Sequence, residues 1–188
     1  MIRRLRTAYT DAELAALYAG GYDHTRFEDH VERIAHTIAL LDGLAAKTDA
    51  RSVADLACGD AAIVHGSAHS WETRVLSDLS RDGVKIEDAV LVMEPVDVFV
   101  CTEIIEHVDQ PARLLREIAK RARWIILSTP DGAFNDENPE HYWAWDQEAM
   151  DTLLRAGGWV DRDVTTFMPK ALGSPYLFQF WTARSGVA

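Results

Sequence analysis

The sequence predicts an α/β fold, with a mostly parallel central sheet carrying crossover helices, an antiparallel last strand and a helical segment in front. Three observations predict it. From residue 49 onward short β-branched runs alternate with helical ones: SVADLA (52–57), TRVLSD (73–78), VDVFVC (96–101) and RWIILS (123–128). That alternation is the pattern of parallel strands joined by helices. Two further strand-like runs, WVDRDVTTFM and SPYLFQFWTAR, close the chain. The link between them holds Pro169, Gly173 and Pro175 and is too short and broken for a crossover helix, so this pair should be antiparallel. Finally, 188 residues that are 48% hydrophobic can bury the core of one domain without disulfides or a structural metal.

Residues 1–48 read as a helical lid and 49–188 as the core of a single domain. TDAELAALYA opens on a Thr/Asp cap signal, and VERIAHTIALLDGLA carries apolar residues at three-and-four spacing, so Thr10 to Lys47 should form two helices. The link between them is polar and aromatic, GGYDHTRFEDH. The first core strand runs through a small-residue turn into a helical run, AAIVHG. Between the third and fourth runs, QPARLLREIAKRA places Leu114, Leu115, Ile118 and Ala119 on one face and Arg113, Arg116, Lys120 and Arg121 on the other, which makes an amphipathic helix with a solvated basic face. WDQEAMDTLLRAGG is a last helix stopped by Gly157-Gly158.

Composition narrows the function. No apolar stretch approaches the length of a membrane span, and the arginine-rich start MIRRLRTAYTDAEL has no apolar segment behind it, so a cytoplasmic protein without a membrane partner is expected. Cys58 and Cys101 both fall at strand ends inside the domain and should be reduced thiols. The formal charge of −11 repels phosphate backbones and disfavours nucleic acid unless a local basic patch overcomes the overall field.

The first core strand ends in Asp55-Leu56-Ala57-Cys58-Gly59-Asp60-Ala61. A small-residue turn between strand and helix lets backbone approach a ligand and exposes free helix N–H groups to it. The second strand ends in Ser77-Asp78, where an acidic side chain can accept both hydroxyl hydrogens of a ribose. Together they point to a nucleoside-bearing cofactor. DLACGDA resembles the first motif of the class I methyltransferases, VLSDLS the second, VDVFVCTEIIEHV the fourth, and RWIILSTPDG the fifth strand with its loop. The likeness runs over roughly residues 50 to 160. It implies a Rossmann-like fold and S-adenosylmethionine as cofactor, with Gly59 at the methionine part, Asp78 at the ribose, and Asp55, Ala57 and Leu79 among the other cofactor-binding residues. It further implies Glu87 and Asp88 near the adenine, Thr102 at the end of the fourth-motif strand, and Tyr22 or His24 of the lid touching the methionine carboxylate or the acceptor.

Two departures from that pattern carry expectations. Alanine stands at 57 and 61 where glycine is commonest, so both should keep φ negative. Only RDGVKI separates Asp78-Leu79-Ser80 from Glu87-Asp88, too few residues for the helix that follows this strand in the resembling family. The adenine pocket should therefore be open on that side or closed by something else.

For chemistry, Thr102-Glu103-Ile104-Ile105-Glu106-His107 spaces Glu103, Glu106 and His107 so that one helical turn would put all three on one face. His107 or Glu103 is the expected catalytic group, placed to relieve a small-molecule acceptor's hydroxyl or amine of its proton. A narrower resemblance is to the small-RNA 3′-terminal 2′-O-methyltransferases, in which Glu-x-x-Glu-His and a later histidine with aromatic residues two and four places on hold a metal ion. That likeness would assign Glu103, Glu106, His107 and His141 as ligands for Mg²⁺ or Mn²⁺, with Trp143 and Trp145 in the aromatic places and Ala144 departing from the family's acid. A third reading is an S-adenosylmethionine-binding protein without turnover. A nicotinamide dehydrogenase is a weaker rival, since EIIEHV has no role in one. His36 is expected on a helix surface, and His65 and His69 lack a partner the sequence can name.

Overall fold

The computed structural model describes residues 1–19, 29–132, 136, 138–170 and 177–187. Its main sheet has six strands: β2 (Ser52–Asp55), β3 (Thr73–Leu76), β4 (Val96–Thr102), β5 (Ala122–Pro130), β7 (Trp159–Phe167) and β8 (Phe178–Ser185), in the order β3-β2-β4-β5-β8-β7. The first four are parallel, and β8 runs antiparallel to both β5 and β7. The expected closing hairpin is thus present, and β8 sits between β5 and β7 rather than at the edge.

Parallel strands are covered on both faces, and the alternation along β4 and β5 divides the core accordingly. Phe99, Cys101, Ile125 and Leu127 point to one face, where helices α5 (Ile86–Val92), α6 (Pro111–Ala119) and α7 (Gln147–Ala156) pack. Val98, Val100 and Ile126 point to the other, under α2 (His30–Thr48) and α3 (Ala62–Gly66). On α2 the buried residues Thr37, Leu41, Leu44 and Ala45 recur at helical spacing, and on α6 the expected four apolar residues are buried together with Pro111. The helix α1 (Asp11–Tyr18) has a capping box, Thr10 with Glu13, but buries none of its residues.

Three expectations need correction. The arginine-rich start includes a strand, β1 (Ile2–Arg4), paired antiparallel with β6 (Trp143–Trp145) through Ile2↔Trp145 and Arg4↔Trp143. Neither was read as a strand, because each is three residues long and gains its partner only from the far end of the chain. The short connection after Asp78 is not bare: a single turn, α4 (Leu79–Asp82), is followed by α5, so Glu87 and Asp88 lie in a first helical turn. Ala61 adopts φ 61, against the expected negative value, while Gly59 two residues before it has φ 52. Ala61 caps α3 and its side chain is buried, so packing holds a conformation that costs an L-residue roughly 1–2 kcal/mol.

Among the described residues, no helix is long and apolar enough to cross a membrane.

Candidate active-site cleft

A cleft of ≈ 330 Å³ opens where β2, β4 and β5 end, the position at which open α/β sheets bind ligands. One wall is the turn after β2. Asp55 is buried at its start, and burial pushes its carboxyl up to about 7, opposed by the Ala57 N–H it accepts at 3.3 Å and reinforced by the charge of Asp78. Burial also pushes the neighbouring Cys58 thiol up to about 11. The Gly59 N–H donates to Asp78 Oδ2 at 2.7 Å, and Asp78 Oδ1 accepts from the Ser80 N–H at 2.9 Å and its hydroxyl at 2.6 Å. Leu79 and Glu87 line the cleft beyond Asp78. Asp88, one helical position further round α5, is exposed and does not line it.

The second wall is the end of β4. Thr102 closes the strand, and Glu103 turns away from it at φ 55, a left-handed conformation held by the bond from its N–H to the Ser128 carbonyl at 3.0 Å. The Ser128 hydroxyl donates to Glu103 Oε1 at 2.6 Å, and Oε2 lies 4.0 Å from Arg33 Nη1. The expected helical turn carrying three functional side chains on one face does not form. The chain makes a single 3₁₀ turn, Ile105–His107, which sends Glu106 into the core and His107 into the cleft. Glu106 is fully buried: Oε2 accepts from the Thr129 hydroxyl at 3.1 Å, and Oε1 has no hydrogen-bond partner among the described residues. Burial raises the carboxyls of both Glu103 and Glu106, the second further because Glu103 is near.

His107 Nδ1 donates to the Glu140 carbonyl at 2.9 Å, which leaves Nε2 bare, and burial, followed by the neighbouring His141, holds the ring down to about 3. His141 packs edge-on against it, ring centres 4.7 Å apart. The two bonds of His141 assign its tautomer: Nδ1 donates to Asp136 Oδ2 at 2.6 Å, and Nε2 accepts from Asn138 Nδ2 at 3.0 Å. Potential ligand atoms of Glu106, His107 and His141 all lie within 4.8 Å of one another; Glu103 is not part of that group.

No family model matches the sequence. No curated protein matches it either. Solved structures do. A 1,6-didemethyltoxoflavin N1-methyltransferase from Burkholderia thailandensis, crystallised with 1,6-didemethyltoxoflavin and S-adenosylhomocysteine, superposes with TM-score 0.66 over 98% of this chain and 94% of its own, at 17% identity. The chain has the class I methyltransferase fold. The same methyltransferase fold is found in the N-terminal domain of EvdMO1 with bound S-adenosylhomocysteine (TM-score 0.58, 14% identity, 95% of this chain and 98% of that one). It recurs in the small RNA methyltransferase HEN1 (TM-score 0.62, 14% identity), where 97% of this chain matches only 26% of that protein.

Within this methyltransferase fold the structure brings Asp55, Ala57, Gly59, Asp78, Leu79, Glu87, Thr102, Glu103, His107 and His141 to one cleft. Tyr22 and His24 lie outside the described residues. Sequence reasoning missed Arg33 and Phe178, which line the cleft from α2 and β8, and the Asp136–Asn138 brace on His141. The signals were present but ordinary: an arginine on an apolar helix face, and an Asx-rich stretch before a histidine. Two further histidines also find places. His36 is half-buried between Phe167 and Phe180, ring centres 4.9 and 4.5 Å away, rather than on an open surface. His69 Nε2 lies 2.7 Å from the Ala50 carbonyl.

Proposed function

We propose that the chain is an S-adenosylmethionine-dependent methyltransferase that passes its methyl group to oxygen or nitrogen of a small-molecule acceptor. The observation that carries this reading is the continuity of one cleft from the Gly59–Asp78 turn to Glu103 and His107. In this reading the turn holds the methionine part of the cofactor, Asp78 accepts from the ribose hydroxyls, and Glu87 borders the adenine. The helix α1, which buries nothing of its own and lends Leu14 and Tyr18 to the cleft, acts as a lid on the side left thin by the short β3–β4 connection. A salt bridge from Lys85 to Asp11 ties that lid to the start of α5.

Transfer breaks the sulfonium–methyl bond and forms an oxygen–methyl or nitrogen–methyl bond, and the acceptor loses its proton. The cofactor supplies the reactivity, so the protein's task is alignment and proton removal. His107, neutral because it is buried, presents a bare Nε2 that accepts a hydrogen bond from the acceptor. Glu103, whose carboxyl burial raises above its ordinary value, is the better proton acceptor. The molecules named beside S-adenosylhomocysteine in two structures of similar fold, 1,6-didemethyltoxoflavin bound in one and D-fucose present with the EvdMO1 domain in the other, are small molecules and support this class. The test is transfer of labelled methyl from S-adenosylmethionine into a small-molecule extract and, in parallel, into short RNA duplexes, each with and without chelator. Label in small molecules that survives chelation supports the reading; label confined to RNA contradicts it.

One observation favours a second reading, a metal-assisted RNA-end methyltransferase. Glu106 Oε1 is buried without a partner beside two imidazoles braced through Nδ1, one by a carbonyl and one by a carboxylate, the outer-shell pattern of metal-binding histidines. One carboxylate and two imidazoles suit Mn²⁺ better than Mg²⁺. Glu106, His107 and, once Asn138 releases its Nε2, His141 would hold the ion, which would polarise a bound hydroxyl. The charge of −11 argues for the small-molecule reading over this one.

A further inference from the structure

The described cleft lining contains two permanently charged cations, Lys85 and Arg33, and they differ in how they are satisfied. Lys85 is bound to Asp11 and stands beside Ile86 and Glu87, at the end of the cleft assigned above to the adenosine. Arg33 stands at the other end. It occupies the second turn of α2, and the same helix lends Ile34 and Thr37 to the wall.

The Arg33 side chain is 15% exposed, yet its guanidinium is poorly used. Nη2 reaches Asp29 Oδ1 at 3.5 Å, the outer limit of a hydrogen bond. Nη1 stands 4.0 Å from Glu103 Oε2, close enough for attraction and too far for a bond. Nε is buried with no partner among the described residues. The ring of Phe178 lies 5.2 Å from Cζ and fixes the plane of the group. A flat guanidinium with idle donors, held in place at the rim of a cleft, is built for a planar two-oxygen acceptor.

We propose that Arg33 binds the carboxylate of the cofactor's methionine tail. The inference rests on the methyltransferase reading, which lays that tail between the Gly59 turn and the end of β4. These are neighbouring strand ends, since β2 and β4 pair through Asp55↔Val100, and Glu103 at the end of β4 is the residue Arg33 approaches. With Lys85 committed at the far end, Arg33 is the described lining cation placed to meet the tail's negative charge. Glu103 stays outside hydrogen-bond range, which leaves the guanidinium's donors for the ligand.

The test is calorimetric titration of wild type, Arg33→Gln and Arg33→Lys with two probes. One is S-adenosylhomocysteine; the other is 5′-methylthioadenosine, which keeps the adenosine and thioether and lacks the amino acid. The expected result is a loss of about tenfold to hundredfold in S-adenosylhomocysteine affinity for Arg33→Gln, a smaller loss for Arg33→Lys, and 5′-methylthioadenosine affinity unchanged within about twofold. Unchanged binding of both probes would overturn the assignment. An equal loss for both would overturn it as well, by showing that Arg33 shapes the cleft rather than reading a carboxylate. If wild type binds neither probe, the methyltransferase reading itself fails and the assignment goes with it, an outcome distinct from the other two.

Discussion

The Gly59 N–H donates to Asp78 Oδ2 at 2.7 Å, so the turn after β2 and the end of β3 are already joined where the cofactor is proposed to bind. The same carboxylate caps α4 through Ser80. One side chain thus fixes the turn, starts the short connection and offers its remaining lone pairs to a ribose.

Asp78→Ala removes all three roles. Affinity for S-adenosylhomocysteine should fall beyond detection, while loss of the cap costs about 1 kcal/mol and lowers the melting temperature by about 2–4 °C. Asp78→Asn keeps an oxygen for the cap and should restore the melting temperature without restoring binding. Calorimetry and thermal melting of the two variants separate the roles; binding that survives in Asp78→Ala would place the ribose elsewhere.

Asp55 gives the stability a pH dependence of known sign. Its folded value, about 7, stands above the ordinary 3.8, so the native state keeps the proton longer than the unfolded chain. The stabilisation is complete below 3.8 and is lost as pH rises through about 7. Asp55→Asn has no carboxyl to ionise. Its stability relative to wild type should therefore grow between about pH 5 and about pH 8, as read by denaturant melts at both ends. A constant difference would show that Asp55 ionises freely.

His107→Gln should separate chemistry from binding. The variant keeps a hydrogen-bonding group of similar reach but loses the bare ring nitrogen, so turnover should fall by about tenfold to hundredfold while S-adenosylhomocysteine affinity stays within about twofold. Single-turnover methyl transfer and calorimetry measure the two. Unchanged turnover would show that Nε2 of His107 does not position the acceptor.

His36 supplies the acid side. Burial between Phe167 and Phe180 lowers its value from the ordinary 6.5, so the native state favours the neutral ring. This contribution is complete above 6.5 and is lost as pH falls below it. His36→Phe removes the titrating ring and should flatten the acid limb of melting temperature against pH; an unaltered limb would assign acid instability to other groups.

The parts legible in the sequence are those written locally. Alternating apolar residues in VDVFVC and RWIILS gave two buried strands, and the ladder of β4 with β5 follows from them. Gly59 and Asp78 could be paired because both end parallel strands that lie side by side. What stayed hidden depends on distant partners. The segment at Ile2–Arg4 is a strand only because Trp143–Trp145 lies alongside it. The positive φ of Ala61 reflects packing of its buried side chain, which no local propensity records. Glu106 and His107 are adjacent in sequence, yet one enters the core and the other the cleft, because a 3₁₀ turn replaced the expected helical one. Arg33 was invisible for the opposite reason: on a helix with a regular apolar stripe, an arginine is read as a solvated flank until Glu103 and Phe178 are seen beside it.

The most direct test of the central claim is calorimetric titration of the purified protein with S-adenosylmethionine and with NAD. Saturable one-to-one binding of S-adenosylmethionine, with none of NAD, is the outcome expected of a cleft organised by Gly59 and Asp78. Binding of NAD instead, or no binding of S-adenosylmethionine with or without added Mn²⁺, would contradict it.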